Sequence, residues 1–155
     1  MTKSLLQPEL AERLMNEVVA LASKRVEEGG VPFSANVVAP DGRILGSGVN
    51  TVMADHDPTA HAEVCAIRHA CATHGLTNLS GTVLLASGEP CAMCYLSALF
   101  AGVSEVIYAV SANQAAQYGY GYGASYKFLS GFPEQFPLPR RQLAVPGALQ
   151  PFNRS

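Results

Sequence analysis

The stretch TVLLASGEPCAMCYLSALFAG, residues 82–102, decides the fold class of this chain. Its first residues form a short apolar run, which is typical of a buried strand in a parallel sheet. An apolar stretch of helical length follows and ends at Gly102, a residue type that commonly terminates helices. The stretch therefore predicts a strand at Thr82–Ser87, a turn, and a helix at Cys91–Ala101.

Strands and helices alternate on both sides of this unit. A strand predicted at Val103–Val110 follows it, and a helix predicted at Thr59–His74 precedes it. Such alternation indicates parallel strands covered by helices, so we expect an α/β fold with roughly five strands. The other predicted elements are a helix at 8–28, a hairpin of strands at Phe33–Ala39 and Arg43–Val49, a loop at Asn50–Pro58, a short helix at Ala112–Tyr118 and an edge strand at Gln142–Val145.

The composition fits one globular domain, residues 1–155, without internal repeats. Hydrophobic residues make up 48% of the chain, but charged residues make up only 14%, against roughly 25% in an average soluble domain. Such sparse charge indicates self-association. The net charge is −2 and the pI is about 6.0, whereas a nucleic-acid footprint raises the pI of a domain above about 9, so nucleic acid is not an expected partner.

The cysteines and histidines point to a metal. We expect a cytoplasmic protein that does not enter a membrane, because the chain shows no signal-peptide pattern and no membrane-spanning apolar stretch. In that compartment paired cysteines bind metal or act in catalysis more often than they form disulfides. All four histidines lie within residues 56–74.

Two short clusters carry the chemistry: His61-Ala62-Glu63 and Pro90-Cys91-Ala92-Met93-Cys94. Each opens a predicted helix, at the edge of an open α/β sheet where ligand crevices form. Cys91 and Cys94 are three residues apart, so a helical turn brings both sulfurs to one side, where they can bind zinc. The helix N-terminus also favours the thiolate form of these side chains.

His61 supplies a third zinc ligand in this interpretation. Three protein ligands with an open fourth position are the pattern of a catalytic zinc, whose role is to make water reactive near neutral pH. Glu63 lies two residues beyond His61 and is expected to move protons beside that position. The joint pattern is specific, although each cluster alone is not.

Two other functions remain open at this point. A non-catalytic, zinc-stabilised binding module would need a fourth protein ligand, for which Cys65 is the candidate. A thiol redox protein would use Cys91 and Cys94 as a disulfide pair. For the remaining residues we expect structural roles: buried thiols at Cys65 and Cys71, surface or capping positions for His69 and His74, a loop position for His56, and a capping or bracing role for Asp57.

The two clusters resemble the zinc nucleobase deaminases of the cytidine deaminase-like superfamily, whose signature is His-x-Glu followed by Pro-Cys-x-x-Cys. Within it, the chain looks most like bacterial guanine deaminases. The resemblance implies a three-layer α/β/α domain with a mixed sheet, one Zn²⁺ per chain and a homodimer. The stretches that carry it are Gly30–Phe33, Asp57–Glu63, Ala66–Arg68 and Glu89–Cys94.

The implied activity is hydrolytic deamination of a free nucleobase or a similar aminated heterocycle, with release of ammonia. A guanine-like base is the leading candidate, which implies a role in purine metabolism. The resemblance implies that Glu63 carries out the proton transfers and that the Ala62 backbone N–H donates a hydrogen bond to a substrate carbonyl. It also implies that Asn50 hydrogen-bonds the ring and that Phe33 and His61 flank its faces. Glu89 is assigned to the substrate-binding residues.

Two departures from the guanine deaminase pattern bear on the substrate. The resemblance implies an Asp that helps to shuttle protons in the segment matching Gly119–Gly123, but this segment holds only Gly and Tyr. It also implies a longer tail with a closing aromatic, whereas the sequence here ends in 152–155, Phe-Asn-Arg-Ser. Cytosine, an aminotriazine or a nucleoside are therefore alternative substrates.

A tRNA adenosine is a less favoured substrate. A tRNA binder needs basic side chains on the rim of the site to meet phosphates. The C-terminal region offers only Lys127, Arg140, Arg141 and Arg154.

Two further features have open interpretations. Four of the six tyrosines lie in residues 118–126, which we call the Gly–Tyr tract. We predict a lid with glycine hinges there, with a flexible connection bearing interface tyrosines as the alternative. Phe100 on the predicted third helix is either a core aromatic or a contact to a neighbouring subunit.

Overall fold

The computed structural model describes residues 3–131, 134 and 137–153, and within them four strands form one mixed sheet. The strands are β1 Ser34–Val38, β2 Ile44–Val49, β3 Val83–Gly88 and β4 Glu105–Val110. The helices are α1 Pro8–Glu27, α2 Val52–Asp55, α3 Ala62–His74, α4 Ala92–Phe100, α5 Ala112–Gln117 and α6 Lys127–Ser130, with 3₁₀ turns at Gly123–Tyr126 and Gln150–Phe152.

The spatial order of the strands is β2-β1-β3-β4. Strand β1 pairs antiparallel with both β2 and β3, whereas β3 and β4 are parallel and are joined through α4. The predicted hairpin and the predicted strand–helix–strand unit are therefore both present. Because β3 and β4 are parallel, the turn after β3 lies at the edge where ligand crevices form.

Two hydrophobic cores separate the three layers. On one face, Leu14 and Val18 of α1 pack with Val83 and Leu85 of β3. On the other face, small residues of α3 and α4 pack with β1 and β3, around a core that includes Ala66, Ala98 and Leu84. The predicted three-layer α/β/α architecture is confirmed.

Helix α3 lies unusually close to β2, and two glycines make this approach possible. A Cβ atom on Gly48 would lie 2.4 Å from the carbonyl oxygen of Ala62 and 2.5 Å from the backbone nitrogen of Ala66. A Cβ on Gly46 would meet the α3 backbone at 2.5 Å. These glycines set the height of α3 above the sheet, and therefore the position of its N-terminus.

Two histidines of α3 reach the backbone of β2. The Nδ1 atom of His69 accepts a hydrogen bond from the backbone N–H of Ser47 at 3.0 Å, and His74 Nε2 lies 3.2 Å from the carbonyl oxygen of Leu45. Strand β2 is at the edge of the sheet, where such groups would otherwise have no partner in the sheet. These surface histidines thus supply hydrogen-bond partners to backbone groups of the edge strand β2.

The structure corrects several sequence-based boundaries. The predicted fifth strand at Gln142–Val145 is wrong: these residues are exposed, lie outside the sheet and have no strand partner. Its short apolar run, Leu143–Val145, resembled a strand, but such a run becomes one only where a sheet edge pairs with it. The predicted loop at Asn50–Pro58 contains the short helix α2, and the helix predicted from Thr59 begins at Ala62.

Phe100 does not belong to the core, because it is 84% exposed. The core interpretation of this residue was therefore wrong. Arg154, which was counted among the basic residues, lies outside the described residues. Among the described residues, no helix combines the length and the apolar character needed to cross a membrane.

We expect Gly48→Ala to lower the free energy of unfolding by about 3 kcal/mol or more, because its new methyl group would collide with backbone atoms that belong to a packed helix. Gly121→Ala is the matched control, since a Cβ there has nothing within 4 Å. Denaturant unfolding measures both variants. A loss below about 1 kcal/mol in Gly48→Ala would show that α3 can move away from β2 cheaply.

Candidate metal and active site

His61 and Cys91 occupy equivalent positions in two helices. Each is the extended residue directly before a helix, His61 before α3 and Cys91 before α4. This placement brings the N-termini of α3 and α4 together above the sheet. Cys94 lies within the first turn of α4 and is buried, so its sulfur faces the same point.

The distances among these three residues fit a metal ion. His61 Nδ1 lies 3.5 Å from the Sγ atom of Cys91 and 3.4 Å from that of Cys94, and the two sulfurs are 3.6 Å apart. A tetrahedral zinc with ordinary Zn–S and Zn–N bonds needs ligand atoms about 3.5–3.8 Å apart. Within the described residues no other His, Cys, Asp or Glu joins this group. The three residues are thus positioned to hold one zinc ion and to leave a fourth position open.

The charge state of the sulfurs supports cation binding. The hydrogen bond between the two sulfurs, with a further contribution from His61, lowers the pKa of Cys91 to about 4. The same shared proton, together with burial, raises the pKa of Cys94. The hydrogen bond to Cys91 also raises the pKa of His61. The thiolate is the form that binds a cation, and a cation at this point would release the shared proton.

Glu63 lies in the first turn of α3, beside the three ligands. Its side chain is only 5% exposed, and burial raises the pKa of its carboxyl group. A carboxylate in this position is too sparsely hydrated to be a surface charge. It is placed instead to exchange a proton with a molecule held beside the ligands.

A cavity of about 200 Å³ opens next to this group. Pockets for drug-sized ligands are typically about 300–1,000 Å³, so this one suits a single small ring system. The residues that line it are Val31, Phe33, Asn50, His61, Ala62, Glu63, Glu89, Cys91 and Tyr122. All the predicted site residues except Cys94 thus line this cavity, and the Cys94 sulfur lies 3.6 Å from that of Cys91.

Asn50 is held from two sides. Its backbone carbonyl accepts a hydrogen bond from Arg25 at 3.0 Å, and its side-chain oxygen accepts one from the backbone N–H of Val52 at 3.1 Å. Gly30 makes room for the Arg25 side chain, because a Cβ there would lie 2.6 Å from its Nε. The Asn50 oxygen is therefore occupied, and its NH₂ group is the part that can serve a ligand.

Glu89 lines the cavity, but its carboxylate is already bound within the protein. One oxygen accepts a hydrogen bond from the backbone N–H of Ala112 at 2.9 Å, and the other accepts one from the Tyr95 hydroxyl at 3.0 Å. These contacts tie β3 to α5 and α4. Glu89 is thus equipped to brace the wall of the cavity.

The Gly–Tyr tract forms the remaining wall. The ring of Phe33 packs edge-on against Tyr120 and Tyr122, with centroids 5.5 and 6.1 Å away. The tract is also joined to α4, because Ser125 Oγ accepts a hydrogen bond from the Ala92 backbone N–H and the Tyr126 hydroxyl donates one to the Pro90 carbonyl. The sequence predicts that this tract is a lid, and this remains a prediction. The sequence did not identify Tyr122 or Val31 as residues of the cavity wall.

The remaining cysteine and acidic candidates lie apart from the cavity. Cys65 Sγ contacts the Thr51 hydroxyl at 3.6 Å and is not among the grouped ligands, so it does not close the metal site. Cys71, near the end of α3, packs against the hydrophobic core. Asp57 accepts hydrogen bonds from Thr59 and Arg68. It therefore braces its loop, which is one of the two structural roles predicted for it.

Comparison with known proteins places this geometry in a family. The family model for the cytidine and deoxycytidylate deaminase zinc-binding region matches residues 8–110. The chain therefore belongs to this family of zinc-dependent deaminases, which confirms the predicted class and its metal.

Individual relatives agree with this assignment. The guanine deaminase of Bacillus subtilis is 38% identical over 142 residues, covering 91% of this chain and 90% of the relative, and its crystal structure superposes with a TM-score of 0.82. The guanine deaminase of Nitrosomonas europaea is 28% identical, with a TM-score of 0.70 over 78% of this chain and 68% of that one. The tRNA-specific adenosine deaminase of Aquifex aeolicus is 36% identical over 56% of this chain and 57% of its own length.

We expect Cys91→Ser and Cys94→Ser each to lose most of the bound zinc and to melt at a lower temperature, because metal binding is coupled to folding. Metal analysis and thermal melting measure the two effects. Cys65→Ser and Cys71→Ser serve as controls and should keep about one zinc per chain. Loss of zinc in Cys65→Ser would instead support a closed, four-ligand structural site.

Proposed function

We propose that this protein hydrolyses the amino group of a guanine-like free base, replacing it with oxygen and releasing ammonia. The observation that carries the proposal is the small cavity that joins the three-ligand group to a buried carboxylate, Glu63. The guanine deaminase of Bacillus subtilis supports this substrate, because its similarity extends over 91% of the chain.

The residues of the cavity would have separate roles in the reaction. His61, Cys91 and Cys94 would hold the zinc, which supplies Lewis-acid activation of water at neutral pH. Glu63 would take a proton from water and deliver protons to the ring and to the departing amine. Its burial keeps bulk water from competing for these protons.

The ring would be bound by hydrogen-bond donors at its edge and by aromatic side chains on its faces. The backbone N–H of Ala62 lies in the first turn of α3, where it is available to a substrate carbonyl. The NH₂ group of Asn50 would donate to a ring acceptor. Phe33 would cover one face of the ring and His61 the other, while Glu89 supports the wall through Tyr95 and the backbone of Ala112.

A smaller aminated ring, such as cytosine or an aminotriazine, and a nucleoside remain the alternative substrates. A tRNA adenosine fits less well. The net charge of −2 gives little attraction for phosphates. The Aquifex tRNA-specific relative is also similar over only 56% of the chain.

We also propose a cytoplasmic homodimer. The four cysteines form no disulfide with one another, which fits a reducing compartment. One face of α4 carries Leu96, Leu99 and Phe100 at helical spacing, and these side chains are 40%, 70% and 84% exposed. A contiguous apolar surface of this kind is typical of a protein–protein contact.

Glu63→Gln tests the catalytic assignment. We expect it to keep about one zinc per chain and to lose ammonia release by roughly a thousandfold, because a neutral amide can neither accept nor return the proton. The assay measures ammonia from guanine, cytosine, isoguanine, aminotriazines, cytidine and guanosine.

Glu9→Gln, a change on the exposed first turn of α1, is the control and should leave turnover unchanged. Full activity of Glu63→Gln would remove Glu63 from the proposed role. Faster ammonia release from any other amine in the panel than from guanine would replace the proposed substrate.

Phe100→Glu tests the homodimer. Sedimentation of the wild type should give the mass of two chains, and this variant should shift toward the mass of one chain, because a charge cannot be buried in an apolar contact without a partner. Leu76→Glu, a change of a 45% exposed leucine just beyond α3, is the control. A wild type that sediments as a single chain would contradict the proposal.

A further inference from the structure

Tyr122, in the aromatic wall of the cavity, carries a buried polar group that no described residue contacts by a hydrogen bond. Its hydroxyl oxygen is buried and has no hydrogen-bond partner among the described residues. A buried hydroxyl without a partner costs free energy, so such a group in a cavity wall calls for an explanation. Neither zinc binding nor proton transfer by Glu63 makes use of it.

The position of this hydroxyl is well defined. The Tyr122 ring packs edge-on against Phe33, which is itself fixed between Tyr120 and Tyr122. Gly88, the last residue of β3, makes room for the Phe33 ring, because a Cβ there would lie 2.8 Å from it. The same Cβ would be in ordinary contact with the Tyr122 hydroxyl oxygen, at 3.5 Å. The hydroxyl is therefore held in place before any ligand binds, which lowers the cost of binding.

Two other polar side chains of the cavity already have hydrogen-bond partners within the protein, whereas the Tyr122 hydroxyl has none in the described part of the chain. The Glu89 carboxylate is bound by Ala112 and Tyr95, and the Asn50 oxygen by Val52. Burial, with the nearby negative charge of Glu63, raises the pKa of Tyr122 to about 12. The phenol is thus neutral at physiological pH and has an O–H to donate.

We propose that Tyr122 contacts the substrate directly, donating a hydrogen bond from its hydroxyl to an acceptor atom of the bound heterocycle. This inference rests on the proposed function for its ligand class, an aminated heterocycle with ring nitrogens or a carbonyl oxygen at its edge. Tyr122 would select rings that carry an acceptor at the matching position, because a ring without one would leave the hydroxyl unpaired.

The experiment combines removal of the hydroxyl with removal of single ring nitrogens. Dissociation constants are measured by calorimetry for the zinc-loaded Glu63→Gln protein, with and without Tyr122→Phe. The ligands are guanine and its analogues in which nitrogen 3, 7 or 9 is replaced by carbon. Because Glu63→Gln stops turnover, the comparison reports binding alone. Wild type and Tyr122→Phe are also compared by KM and kcat for guanine.

Tyr122→Phe is expected to weaken guanine binding roughly three- to tenfold, the usual loss for one hydrogen bond. KM should rise by a similar factor with kcat nearly unchanged, as for a contact made equally in the ground state and the transition state. If the acceptor is a ring nitrogen, the effect of the variant should vanish for the analogue that lacks it. An equal effect on all four rings would assign the contact to the carbonyl oxygen.

Stability separates this role from a structural one. Without ligand, Tyr122→Phe should melt at the wild-type temperature or higher, because the change removes an unpaired buried hydroxyl and keeps the ring. Tyr126→Phe, which removes the hydrogen bond to the Pro90 carbonyl, should melt lower. Tyr118→Phe is the matched control, since this tyrosine is 82% exposed, and it should change neither quantity.

The outcomes decide the two proposals separately. If guanine binds and Tyr122→Phe alters its affinity by less than twofold, the inference is overturned and the proposed function stands. If the wild type releases no ammonia from guanine but Tyr122→Phe still weakens binding of the ring, the proposed substrate falls and the contact stands. If none of these rings binds, both are overturned.

Discussion

The convergence of two helix N-termini is the constraint on which the rest of this structure depends. Helix α4 is positioned by the parallel pair of β3 and β4, and α3 is positioned by its close approach to β2. Only when both are in place do His61 and Cys91 bring their ligand atoms to within 3.5 Å. The glycines of β2 therefore help to position the ligand atom of His61, although they lie behind α3 and do not themselves reach the site.

The same convergence determines the electrostatics of the cavity. Two helix N-termini favour negative charge, and Cys91 precedes one of them, where hydrogen bonds with Cys94 and His61 lower its pKa to about 4. Burial acts in the opposite direction on Glu63 and raises its pKa. The wall formed with the Gly–Tyr tract carries the neutral side chains of Phe33 and Tyr122. Phe33 and Tyr122 limit hydration there, so the few polar groups that face a ligand act in a poorly solvated space, where each contact has a larger effect.

Much of the fold was predictable because it rests on local patterns. Helix α1 and the β1–β2 hairpin appeared within two residues of their expected ends, since amphipathic spacing and turn residues act over short distances. The predicted fifth strand was wrong because the short apolar run at Leu143–Val145 has no sheet edge to pair with it. Phe100 was ambiguous because the spacing of apolar residues on a helix does not say what covers that face.

By itself the sequence determined the deaminase class and identified candidate residues: His61, Cys91 and Cys94 for the metal and Glu63 for proton transfer. These depend on residue types at short spacings within two clusters, one holding His61 and Glu63 and the other Cys91 and Cys94. The tertiary structure decided which polar atoms are still available to a ligand. Glu89 has both oxygens bound, whereas Tyr122 has a buried hydroxyl with no partner among the described residues. Hydrogen bonds between distant segments distinguish these two residues, and no spacing along the chain specifies which distant donors and acceptors will meet.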